Sequence, residues 1–157
     1  MSNEVGLSHR PTIRPLQKGD VAELARTMRW EDTEEVRHSS GGTPLSALVT
    51  GTTVSSCHVI EWQGRVVAIF GISGLKGSYG FPWMLGTDDI KRIRKSLLRG
   101  CREVVEGYLT DYPYLTNACW SKNTAHIEWL KWLGFTFQGE DIRNGEVFLH
   151  FHKGTYV

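Results

Sequence analysis

His150 and His152 occupy alternate positions of the run G-E-V-F-L-H-F-H, so in an extended chain both imidazoles point to one side, as two ligands of a zinc site would. No third ligand lies nearby in sequence, and a polar strand face accounts for the pair more simply. Cys57 and His58 are adjacent, which places them on opposite faces of a regular strand and keeps them from sharing one ion. The sequence therefore predicts no metal site. Glu61 and Glu146 could act as general bases, but they fall in early and late strand-like runs and are expected to face solvent. Anion binding is the other chemistry on offer. Lys91, Lys95 and Arg99 follow one another a turn apart in K-R-I-R-K-S-L-L-R, although such a run reads first as the solvated face of an amphipathic helix. Trp129 and Trp132 are three positions apart; most of the six tryptophans must be core by their size, and any left exposed would make a protein-binding patch.

The elements that must position these groups are legible in outline. Thr12 to Arg14 suggests a short strand, and Asp20 with Glu23 has the pattern of a capping box ahead of a helix carrying Val21, Leu24, Ala25 and Met28 on one face. Residues 20–55 read as a cap of helices and loops: E-D-T-E-E-V-R-H is broken by S-S-G-G-T-P and resumes after Pro44. From Cys57, C-H-V-I-E-W and R-V-V-A-I-F-G-I flank Gln63-Gly64 as a hairpin. Tyr79 to Leu85 is a further strand in which Pro82 should mark a bulge or an unpaired edge. Thr87 then caps a long helix with Asp88 and Asp89 in its first turn and the stripe Ile90, Ile93, Leu97, Cys101, Val104, Tyr108. P-Y-L-T-N-A-C-W is a strand, residues 123 to 133 a helix ended by Gly134, and F-T-F-Q with G-E-V-F-L-H-F-H a closing hairpin.

With 157 residues the chain is expected to form one domain, a cap over 20–55 and a sheet core over 56–157. Eighteen basic and seventeen acidic residues give a net charge of +1, too small to steer the molecule onto nucleic acid or anionic lipid. Three cysteines without C-x-x-C pairing point to a reducing compartment. No leader-like or membrane-spanning apolar run is present, so a soluble, cytoplasmic protein is expected.

The element order, with Asn123 opening the final helix and Gly134-Phe135 closing it, resembles the GNAT fold of acyl-CoA-dependent N-acyltransferases. That resemblance implies an α/β fold with a mixed, mostly antiparallel central sheet and helices on both faces. A narrower likeness covers Gly80 to Phe151. K-N-T-A-H-I-E-W-L-K-W-L-G-F-T-F followed by I-R-N-G-E-V-F-L-H-F is similar to the GNAT-like internal-core morphogenesis proteins of short-tailed phages. It implies a phage or prophage protein of the bacterial host cytoplasm or the virion, with phage structural proteins as partners and a role in virion assembly. Apart from T-I-R-P, the first half carries little of this likeness.

The family also implies a cofactor, acetyl-CoA or CoA. Its pantetheine arm would lie along Trp83, Met84 and Leu85, its pyrophosphate would rest at Gly86 and Thr87, and Asn123 would stand near the thioester. Two departures count against chemistry. W-M-L-G-T-D-D-I-K has one glycine where the family places a glycine-rich turn, and Asp88 and Asp89 would repel a pyrophosphate seated there. Leu130 stands where such enzymes commonly present a tyrosine that protonates the departing thiolate, and an aliphatic chain exchanges no proton. Replacement donors would be Ser121 or Cys119, whose plainer readings are a turn hydroxyl and a buried small hydrophobe. His126, in the first turn of the last helix, reads as a surface or capping histidine. The expectation is a virion-assembly protein with acyltransferase chemistry weakened or lost, the alternative being an active acetyl-CoA-dependent N-acyltransferase.

Overall fold

In chain order the elements are β1 (Thr12–Pro15), α1 (Asp20–Thr27), α2 (Trp30–Ser40), α3 (Pro44–Val54), β2 (Ser56–Trp62), β3 (Arg65–Gly74), β4 (Tyr79–Gly86), α4 (Ile90–Asp111), β5 (Tyr114–Trp120), α5 (Thr124–Trp132), β6 (Thr136–Arg143) and β7 (Glu146–Gly154). The computed structural model describes residues 10–155. Seven strands form one sheet in the order β1-β2-β3-β4-β5-β7-β6. Every neighbouring pair is antiparallel except β4 and β5.

Both tight hairpins form where the sequence places them. Gln63 and Gly64 (φ 53° and 74°) and Asn144 and Gly145 (φ 49° and 80°) supply the left-handed pairs that match strand twist. Strand β3 is buried continuously from Val66 to Ile72 because helices cover both sides of it. On one face, Ile60, Ala68, Phe70 and Ile72 pack with Ile90, Ile93, Leu97, Cys101 and Val105 of α4 and Trp129 and Leu130 of α5. On the other, Val59, Val66, Ile69 and Leu85 pack with Leu24 of α1, Val36 of α2 and Leu48 of α3. Burying a Leu24 or Leu48 fully contributes about 2 kcal/mol each, so the three short helices are held mainly by the sheet rather than by their own propensity.

Two local expectations shift. Asp20 is not an N-cap: Gly19, at φ 94°, holds that position, and Asp20 is the first helical residue. Its carboxylate accepts both Nη groups of Arg14 at 2.9 Å and the Gln17 amide at 2.7 Å, while Glu23 accepts the Val66 amide at 2.8 Å instead of closing a capping box. An arginine fork and a strand-end amide offer these carboxylates better partners than the helix end does. The capping box lies at α3 instead, between Thr43 and Ser46 with Pro44 at N1. Thr87 likewise is not the N-cap of α4, which is Asp89, but heads the turn before it, its Oγ1 accepting the Asp89 amide at 3.3 Å. Its amide extends the β3–β4 ladder to the Val67 carbonyl (2.9 Å), and Asp88 and Asp89 form a turn ahead of a helix that starts at Ile90. Of the two readings of Pro82, the unpaired edge is the one that forms, since β4 parts from β5 after Gly80. The β3–β4 register is regular from Ala68↔Gly86 to Gly74↔Gly80, and the proline sits on the side turned toward β5.

Candidate functional site

Strands β4 and β5 pair only at Tyr79↔Tyr114 and Gly80↔Leu115, then part. A sheet that opens in this way leaves backbone donors and acceptors on both inner edges, and buried ones need partners. Here side chains supply them. Asn117 donates through Nδ2 to the Pro82 carbonyl (3.0 Å) and accepts the Ala118 amide at Oδ1 (2.9 Å), bridging the gap at its narrow end. At the wide end α2 takes over. Asp32 Oδ2 accepts the Gly86 amide at 2.9 Å, Glu35 Oε1 accepts the Trp120 amide at 2.9 Å, and the Arg29 amide donates to the Gly86 carbonyl at 2.9 Å. The two carboxylates are three positions apart on one helix, so one face of α2 reaches the last residues of both strands.

Asn123 completes the cluster. As the N-cap of α5 its Oδ1 accepts the His126 amide at 3.3 Å, and its Nδ2 donates to Asp32 Oδ1 (2.9 Å) and Glu35 Oε1 (3.2 Å). Asp32 and Asn123 are completely buried, and Arg29, 3% exposed, sets its Nε 2.9 Å from Asp32. Burial raises the Asp32 carboxyl above the ordinary range against the pull of Arg29 and His126. For Glu35 burial also pushes upward, but the His126 ring, the Trp120 amide and Asn123 together hold it below its usual value. His126 is not a surface residue: it is 6% exposed, its Nδ1 is 3.8 Å from Glu35, and that nitrogen has no hydrogen-bond partner among the described residues. Periodicity gave no hint of this, because α5 has apolar residues on most sides.

Three cavities surround the opening, and Met84 lines all of them. Between α4 and α5 lies a groove of about 390 Å³ bordered by Lys91, Arg94, Glu128, Trp129 and Trp132. On the opposite face, beneath α2 and α3, a second groove of about 330 Å³ is lined by Glu35, Ser46, Thr50, Trp83, Asn117 and His126. A smaller apolar space of about 60 Å³ lies among Met84, Tyr108, His126, Trp129, Leu130 and Phe151 and shares lining residues with both grooves.

The residues singled out as cofactor contacts are thus brought together but are engaged within the chain. Trp83 donates its indole N–H to Ser55 Oγ (2.9 Å) and packs on Gly51, and Leu85 is in the core. Gly86 gives its amide to Asp32, Thr87 gives its amide and hydroxyl to the Val67 carbonyl, and Asn123 faces two carboxylates. A Cβ at Gly86 would run into the Ile90 side chain and lie 3.1 Å from the Val67 carbonyl oxygen, so close packing already accounts for that glycine. Cys119 is fully buried in the α4–α5 core and burial pushes its thiol far up. Ser121 lies half-buried in the turn before α5 and lines none of the three cavities. Glu61 accepts Arg14 Nε, Glu146 accepts the Trp120 indole N–H (2.8 Å), His150 meets Asp141 at 2.7 Å and His152 stacks on Tyr114. Asp32 and Glu35 went unremarked in the sequence, where W-E-D-T-E-E reads as an ordinary acidic helix start.

Comparison with known proteins places this geometry. Solved structures of GNAT acetyltransferases share the fold. A ribosomal L7/L12 alpha-N-protein acetyltransferase in complex with coenzyme A matches with a TM-score of 0.67 at 10% identity, over 94% of this chain and 96% of that one. A GNAT-family acetyltransferase from Bacillus anthracis matches with a TM-score of 0.68 at 9% identity, over 92% and 95%. The family model described as bacteriophage T7 probable scaffold protein Gp13 matches residues 56–141. The probable scaffold protein gp13 of Escherichia phage T7 is 31% identical over 83 aligned positions, covering 43% of this chain and 60% of that protein's length.

Proposed function

The chain belongs to the family of the bacteriophage T7 probable scaffold protein Gp13, and on that premise we propose that it is a phage or prophage protein that assembles the virion's internal core through protein contacts. It uses a GNAT frame in which acyl-transfer chemistry is weakened or lost. The host cytoplasm and the virion are where such a protein works, and phage structural proteins are its partners.

One observation carries the loss of chemistry: α2 is clamped into the opening that, in this fold, admits a cofactor arm. The Gly86 and Thr87 amides, which would have to receive a pyrophosphate, already serve Asp32 and Val67. The space leading inward is about 60 Å³ and walled by Met84, Trp129 and Leu130. Tyr108 lines that space with a buried hydroxyl that has no hydrogen-bond partner among the described residues, but burial pushes its pKa far up, away from the range useful to a proton donor for thiolate at neutral pH. At Gly86 and Thr87 the residues present thus fit a pyrophosphate poorly.

Calorimetric titration with acetyl-CoA tests this part. No heat and no thermal shift at millimolar cofactor is the expected result. Micromolar binding would instead select the alternative, an active N-acyltransferase, which the open groove with Glu35 and His126 at its back favours. Assembly is tested by affinity purification of the chain from host cells carrying the phage. Internal-core or portal proteins should copurify, and their absence would sink the assembly reading.

A further inference from the structure

The near-neutral total charge conceals a segregation. The thirteen residues Ile90 to Arg102 hold six of the eighteen cations and no acid, a local charge of +6, while the rest of the chain carries 12 − 17 = −5. All six of these side chains are exposed, and they lie along the outer half of α4 over about 16 Å of helix. The carboxylates near them answer weakly. Arg92 Nη1 donates to Asp89 at 3.3 Å, Lys91 is 3.9 Å from Glu31 and 4.0 Å from Asp88, and Arg99 is 3.9 Å from Glu103 with both side chains largely in water. Among the described residues Lys95 has no ion-pair partner, so the face retains most of its positive charge.

This face runs into the groove between α4 and α5. Arg94 lies over the Trp132 ring at 5.2 Å and Arg102 Nε donates to the Trp132 carbonyl at 2.9 Å. Trp132 stays 37% exposed, at the rim of a groove whose floor is Met84, Ile90 and Trp129. Arginines held against a part-exposed tryptophan beside an apolar floor make the composition of a binding hot spot. A solvated charge face alone would need no such floor.

We propose that the outer face of α4 and this groove form a docking surface for an acidic amphipathic helix of a partner protein; the inference rests on the assembly reading. Carboxylates repeating every fourth residue would meet Lys91, Lys95, Arg99 and Arg102, and one apolar side chain would enter the groove beside Trp132. Nucleic acid fits less well, because the −5 on the remaining surface repels an extended polyanion, whereas a short helix sees only the basic face.

The probe is a fluorescent synthetic helix with glutamate at every fourth position and one leucine on the same face, titrated against the full chain. Binding is expected at low salt and should weaken about tenfold at physiological ionic strength. Lys95→Glu with Arg99→Glu, both at exposed positions, should weaken it by a further tenfold or so with an unchanged thermal melt. No binding at low salt, equal binding by the reversed variant, or tighter binding of a duplex DNA of matched charge would each overturn the proposal. Incorporation into phage particles separates the two readings. If neither chain enters particles or assembly intermediates, the assembly reading fails. If both enter equally, only this surface does.

Discussion

Asp32→Ala tests the clamp most directly. The substitution leaves the Arg29 guanidinium, 3% exposed, without its 2.9 Å counter-ion, strips the Gly86 amide of its acceptor, and leaves Asn123 Nδ2 with Glu35 alone. Removing one member of a buried ion pair costs roughly 3–5 kcal/mol, and an unsatisfied buried amide roughly 1–3 kcal/mol more if nothing relaxes to meet it. Relief of Asp32's own desolvation, visible in its raised pKa, offsets part of this. The expected loss is therefore about 4 kcal/mol in urea unfolding, equivalent to a fall in Tm of roughly 8–16 °C for a chain of this size. Asp32→Asn keeps the shape but replaces one of the two oxygens that meet Arg29, Asn123 and the Gly86 amide by an NH2 group, so about half that loss is expected. Arg29→Met combined with Asp32→Ala should recover a substantial part, because the stranded charge is then gone. Hydrogen exchange at the Gly86 amide should rise in the single variant. A loss below about 1 kcal/mol for Asp32→Ala, with Gly86 still protected, would refute the view that α2 holds the strand ends together.

Cysteine reactivity should follow burial. Cys57, half-buried on β2, should react with a thiol reagent in the folded protein, whereas Cys101, pushed up to about 12, and Cys119 should react only on unfolding; labelling of Cys119 in the native state, read by mass spectrometry, would contradict its placement. Asp141 is held at about 2, first by Arg143 and then by His150, so the stability it contributes is present above the ordinary value of 3.8 and lost as pH falls through about 2. NMR titration should give that midpoint, and Arg143→Ala with His150→Ala should return it toward 3.8; an unmoved midpoint would rule those partners out. Gly134 closes α5 at φ 94°, so Gly134→Ala should cost about 1–2 kcal/mol from backbone strain, the Lys153 tip that it meets at 2.7 Å being free to swing aside. A change below a few tenths of a kcal/mol in denaturant unfolding would be inconsistent with that end geometry.

Much of the architecture was legible because it is written in local signals. Gln63-Gly64 between two β-rich runs, the apolar stripe from Ile90 to Tyr108, and Asn123 and Gly134 at the two ends of α5 each state a conformation that nearby residues alone can satisfy. Leu130 in place of a hydroxyl-bearing residue was equally plain from the sequence. The clamp was not. Asp32 lies 54 positions from Gly86 and 91 from Asn123, and a carboxylate with a buried partner is the same letter as one in water. Capping was misplaced at Asp20 and Thr87 for a related reason: Arg14 engages the Asp20 carboxylate, and the Val67 carbonyl holds Thr87 in the strand ladder, so that its hydroxyl accepts the Asp89 amide in a turn ahead of the helix. Periodicity tells which face of an element is apolar, but only the packed chain decides which faces meet. Here the meeting of α2 with the splayed ends of β4 and β5 converts an acidic helix into the closure of the opening.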